Sequence, residues 1–225
     1  MTYAYRWPFA LALVVAAFLA FSLPPYVTAD PEQSRVPATF LLHYPLLVGH
    51  VVLASVAMVA VVLQAWPGLR VRRPAVHRRV GRVYVAAALP AAACAMVIGA
   101  ATPFGPILAV GNVVLAALWM WFTVNGYLAG RRRHIGEHRR NMIYSATLTL
   151  SIITNRIWTP LLFIALNPLQ NSVFGGNEEH FLWFAAGLGA WLGWTIPLFT
   201  AWWWMRRRTV ATSSSISQPW HTSRV

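Results

Sequence analysis

Six stretches of this chain are apolar for about twenty residues or more: residues 8–28, 40–66, 80–102, 106–129, 142–166 and 181–205. A helix needs roughly 20 residues to cross about 30 Å of hydrocarbon. Inside lipid a helix also satisfies its own backbone, which an isolated strand cannot. The runs fill most of the 225 residues. The expectation is therefore an all-α membrane protein, a six-transmembrane helical bundle with a four-helix core in spans two to five. A single transmembrane domain covers residues 1–208, and the Ser/Thr-rich segment 209–225 reads as a disordered cytoplasmic tail.

The net charge of +13 would suggest nucleic acid in a soluble chain, but all 18 basic residues are arginines and most lie between apolar runs. The link from span two to three carries Arg70, Arg72, Arg73, Arg78, Arg79 and Arg82 without an acid. The link from span four to five carries Arg131, Arg132, Arg133, Arg139 and Arg140 against Glu137, and Arg206 to Arg208 follow span six. The opposite links hold Asp30, Glu32, Glu178 and Glu179 with Arg35. The positive-inside rule places the arginine-rich side in the cytoplasm, with both termini there, in a bacterial inner membrane. Those arginines are expected to meet anionic headgroups. No nucleic-acid module remains. The first run has a second reading: Val27-Thr28-Ala29 resembles a signal-peptidase site, and cleavage would leave five spans.

Gly126 and Gly130 on span four, and Gly189 and Gly193 on span six, have small-xxx-small spacing, which suits packing within the bundle or a homodimer face. Trp7, Trp66, Trp158, Trp183 and Trp202 to Trp204 sit near span ends as interfacial anchors. Cys94 lies in an apolar run, and there is neither a nucleophile elbow nor a glycine-rich phosphate loop.

Each helical residue advances about 1.5 Å, so position along a span gives depth. His43 belongs to the outer surface, and His50 lies about 10 Å deeper on roughly the same face. Asn155 and Arg156 interrupt span five at a depth comparable to His50. A buried arginine needs a partner. It snorkels, pairs with Glu178 or Glu179, or holds an anion such as a quinone oxygen or lipid phosphate. His50, Asn155 and Arg156 thus form one candidate ligand pocket.

His77, His134 and His138 gather at the inner surface, at the starts of spans three and five. His134-Ile-Gly-Glu137-His138 matches the H-x-x-E-H pattern of inverted zinc peptidases. The remaining acids lie on the opposite side of the membrane, so no metal site is assigned. Bis-histidine ligation of a b-type haem fits better, because it takes one imidazole from each of two helices. His77 and His138 are both followed by paired arginines, of which Arg78 and Arg139 suit propionates. His134 is the alternative ligand. The bland reading, three titratable surface residues among headgroups, stands beside it.

The stretches "GHVVLASVAMVAVVLQ", "RRPAVHRRVGRVYV" and "HRRNMIYSATLTLSIITNRIW" resemble a bacterial family of integral membrane proteins, domain-of-unknown-function family 2306, over about residues 40–165. The resemblance implies that His50, Gln64, His77, Arg78, Gly81, Arg82, Tyr84, His138, Arg139, Met142 and Arg156 occupy motif positions. The sequence departs at Asn141, where a tryptophan is expected. A looser similarity is to four-helix b-type membrane cytochromes. It implies a redox protein exchanging electrons with a quinone or a partner chain. The competing expectation is a non-enzymatic transport or lipid- and small-ligand-binding protein.

Overall fold

A computed structural model describes residues 3–28 and 30–216, with side chains described at 6–28 and 30–207. The order is α1 (Tyr3–Ser22), α2 (Pro24–Val27), a 3-10 turn (Pro31–Gln33), α3 (His43–Ala65), α4 (Pro67–Arg72), α5 (Pro74–Ala100), α6 (Pro106–Arg131), α7 (Ile135–Leu166), α8 (Leu169–Ser172) and α9 (Glu178–Ile216). No strand occurs among the described residues.

Five helices are long and apolar enough to cross a membrane: α3, α5, α6, α7 and α9 over Glu178–Arg207. The first apolar run is divided differently. It folds as α1, whose described apolar stretch is the shorter Arg6–Ser22, and then as α2 behind Leu23, with proline at the start of the new helix. Ala29 of the cleavage-like tripeptide lies outside the described residues. α9 continues past residue 208, where the tail was expected to begin. Residues 217–225, with His221, lie outside the described residues.

Helix starts follow the prolines. Pro67, Pro74 and Pro106 each open a helix, where the missing N–H costs nothing and φ is preset. α5 and α7 begin well before the apolar stretches inside them. The polar first turns carry Arg78, Arg79, Arg82, Arg139 and Arg140 as helical residues.

The turn between α6 and α7 is tight. His134 N–H bonds Ala129 O at 2.9 Å and Arg133 N–H bonds Gly130 O at 3.2 Å. This is the Schellman pattern, with Arg133 at φ 61° in the left-handed position that glycine usually fills.

Consecutive spans pair antiparallel. The most extensive packing is α7 on α9 and α3 on α5, then α6 on α7 and α5 on α6. α3 also touches α7, which closes a ring of four, while α9 lies along α6 and α7 and α1 lies against α3. Connectivity brings the α3–α5 link, the α6–α7 turn and the end of α9 to one end, so the arginine clusters share it. There Arg206 stacks on Trp202 at 4.4 Å and Arg207 on Trp203 at 3.7 Å.

Both glycine pairs are used inside the chain. A Cβ on Gly126 would meet Met142 Sδ at 2.6 Å, and one on Gly130 would meet His138 Nδ1 at 2.8 Å. A Cβ on Gly189 would meet Thr159, and one on Gly193 would lie 2.8 Å from Asn155 Cβ and 2.9 Å from its Cα. These glycines are what allow α6 and α9 to approach α7.

Candidate functional site at the arginine-rich end

His77 stands in the first turn of α5 and His138 in the first turn of α7, each half-buried. Around the ring these helices are diagonal neighbours with α6 between them. Both histidines lie at the arginine-rich end of the bundle.

His138 is oriented by the bundle. Its Nδ1 lies 2.7 Å from Gly126 O. A carbonyl only accepts, so Nδ1 carries the hydrogen and Nε2 keeps its lone pair in the neutral ring. Gly126 lies deep in α6, and Gly130 leaves the notch that the ring occupies. His77 has no such partner: its Nδ1 is buried and unbonded. The Gln64 amide reaches over from α3 and donates from Nε2 to His77 O at 2.7 Å.

His134 is placed differently. It occupies the N-cap position of α7 without a side-chain capping bond, is 60% exposed, and has Nδ1 3.6 Å from a Glu137 carboxylate oxygen. The two histidines of the H-x-x-E-H pattern therefore have separate surroundings. Among the described residues no group of three or more His, Cys, Asp or Glu side chains converges as a metal site. Arg78 and Arg139, each next to its histidine in the chain, are exposed.

Deeper in the bundle than these histidines lies a hydroxyl cluster of which the sequence names only Tyr84, as a motif position. Tyr84 follows His77 by two turns, and Ser145 follows His138 by two turns, so each lies on its histidine's face about 10 Å deeper. Tyr84 Oη meets Ser145 Oγ at 2.5 Å and Thr149 Oγ1 at 2.8 Å, and Trp119 Nε1 donates to it at 3.2 Å. Thr123 Oγ1 meets Ser145 Oγ at 2.6 Å and donates to Trp119 O at 2.7 Å, while Thr149 Oγ1 donates to Ser145 O at 2.9 Å. Tyr84, Thr123, Ser145 and Thr149 are all buried. These six approaches draw on five polar hydrogens, from three alkyl hydroxyls, one phenol and one indole. One approach is therefore without its own hydrogen in any arrangement, and the hydroxyl rotors can settle in more than one pattern.

The other candidate pocket is dispersed. His50 Nδ1 bonds Ala91 O on α5 at 2.9 Å. Asn155 Oδ1 accepts from Thr159 Oγ1 at 2.7 Å, and Asn155 packs against Gly193 of α9. Arg156 is exposed on the bundle surface. No ion pair joins it to Glu178 or Glu179 among the described residues. The three side chains thus have three different surroundings.

His43 opens α3 at the end away from the arginines, where it is 1% exposed, with Nδ1 facing Thr39 N–H at 3.1 Å and Thr39 Oγ1 at 2.7 Å and its ring packed on Phe40. His180 lies in the first turn of α9 beside Trp183.

A family model described as "Predicted membrane protein (DUF2306)" matches residues 47–205, from α3 through α9. The match extends beyond the stretch 40–165 and takes in the last span. No curated protein and no solved structure matches the chain.

Proposed function

The chain belongs to the DUF2306 family of predicted membrane proteins, and on that premise we propose that it is a membrane redox protein whose arginine-rich end holds one b-type haem between His77 and His138. The observation that carries the proposal is the pair itself. Two histidines stand in the first turns of α5 and α7 at the arginine-rich end, and Gly126 O takes Nδ1–H of one, which leaves its Nε2 as the base.

The residues present fit such a group. Nε2 makes no hydrogen bond in either His77 or His138 among the described residues. Gly130 provides the space that the His138 ring needs, and two exposed arginines flank the pair. A haem bound there would supply one-electron exchange. The chain's own work is to hold and aim the imidazoles, to neutralise propionates through Arg78 and Arg139, and to keep water from the interior through Tyr84, Trp119 and the alanines around them. A membrane quinone or a partner chain is the proposed redox partner. The arginine-rich end faces the cytoplasm of a bacterial inner membrane in this reading, against anionic headgroups.

The test is an absorption spectrum of the purified chain, oxidised and then dithionite-reduced. We expect a Soret band that His77→Ala and His138→Ala each abolish and His134→Ala leaves. Colourless protein from haem-replete cells, with no haem on extraction, overturns the proposal. A bound lipid or metabolite in that colourless protein supports the binding or transport reading instead.

A further inference from the structure

The interior histidines divide by the role of Nδ1. In His138 and His50 this atom faces a backbone carbonyl, Gly126 O at 2.7 Å and Ala91 O at 2.9 Å, so it must donate. In His43 it faces the Thr39 N–H at 3.1 Å and the Thr39 hydroxyl at 2.7 Å, and that hydroxyl also bonds Ala101 O, so either tautomer finds a partner. His77 belongs to neither class, because its Nδ1 is buried without a partner.

A second buried polar atom without a partner lies on the residue that touches it. Gln64 donates from Nε2 to the His77 carbonyl at 2.7 Å, yet its Oε1 is buried and unbonded. Oε1 can only accept. Of the two atoms only the imidazole nitrogen can take either role, so a single assignment satisfies both: hydrogen on Nδ1, lone pair on Nε2. Burying both atoms unpaired would carry the full desolvation penalty twice. The amide is also confined. A Cβ at Gly81, one turn beyond His77, would lie 3.0 Å from Gln64 Nε2, so the glycine keeps the slot the amide fills.

We propose that Gln64 is the positioning residue of His77: its Oε1 accepts the Nδ1–H after a small side-chain rotation and fixes the tautomer that presents Nε2. That Nε2 serves as a ligand rests on the haem reading above; the tautomer itself does not.

The test is ¹⁵N NMR of the full chain, histidine-labelled and made without haem in a haem-auxotrophic host, with His77 assigned by its substitution. In the wild type, His77 Nδ1 should resonate as a protonated nitrogen and Nε2 as a bare one. Gln64→Leu should shift the His77 population several-fold toward Nε2–H, with the His50 and His138 signals unmoved. Gln64→Glu, which keeps an acceptor, should restore the wild-type pattern. If Gln64→Leu does not fold, Gly81→Ala crowds the amide and should produce the same shift. A wild-type His77 protonated on Nε2 overturns the proposal, as does a folded Gln64→Leu protein with an unchanged tautomer. The absorption spectrum of haem-replete protein separates the two readings. A haem-free chain with the predicted tautomer sinks only the cofactor; a haem-bearing chain whose unloaded form ignores Gln64 sinks only this inference.

Discussion

α7 is held in two different ways along its length. In the half nearer the arginines, Ser145 and Thr149 hydrogen-bond to Tyr84 of α5 and Ser145 to Thr123 of α6. In the other half, Asn155 and Thr159 lie flush against Gly193 and Gly189 of α9. The first seam is directional and polar. The second is steric, made by removing side chains until backbones nearly touch. Lipid tails are as apolar as leucine, so burial alone cannot hold helices together in a membrane, and both solutions replace it. The difference teaches that the polar seam tolerates rearrangement of hydrogens, whereas the glycine seam tolerates almost no added atom.

The largest expected effect therefore lies in the steric seam. Gly193→Ala places a methyl group against Asn155 Cα and Cβ and the Asn155 nitrogen, where backbone cannot yield. A loss of about 2–3 kcal/mol is expected, in the range of overpacked cores, read by reversible unfolding in detergent. A neutral result would mean that α9 rides loosely on α7 and would dissolve the contrast. Tyr84→Phe comes next. It deletes the phenol at the centre of the polar seam and should cost about 1–2 kcal/mol, since buried partners are left unpaired. The same measurement on Tyr84→Phe with Ser145→Ala should show less than additive loss. Thr154→Val should cost least, about 0.6 kcal/mol, the mean for an interhelical hydrogen bond in a membrane protein. A cost above that of Tyr84→Phe would place a polar clasp at the heart of the seam that we describe as steric.

Much of the bundle was legible in the chain. Run length located five of the six expected spans, the first run folding as a shorter apolar helix, and the antiparallel order follows from short links. The starts of α5 and α7 were read late because apolar content, not capping, defined the runs, whereas Pro74 and the Arg133 turn set the helix ends. The places of His77 and His138 at two helix starts on one side were legible because depth is a one-dimensional quantity. The trio His50, Asn155 and Arg156 shows the limit of depth. Equal distance along a span says nothing about azimuth, and these side chains point to α5, to α9 and to the surface. The hydroxyl cluster escaped notice for a related reason. Hydroxyls recur at Ser145, Thr147, Thr149, Ser151 and Thr154, too densely to mark one face. Counting two turns from His138 selects Ser145, the partner of the Tyr84 that the family resemblance already names.

Pro197 interrupts α9. A proline has no N–H, so the carbonyl four residues back, that of Gly193, loses its helical donor. Thr154 of α7 donates to that oxygen at 2.5 Å while also reaching Ser151 O. The defect of one helix is thereby repaired by the side chain of another. Two positions on separate spans are thus bound into a single evolutionary unit: threonine loses its use once the proline is gone, and proline becomes harmful once the threonine is gone. Among descendants of this chain the pair should drift together or remain fixed together, and a variant carrying Pro197→Ala should accept Thr154→Val at little further loss.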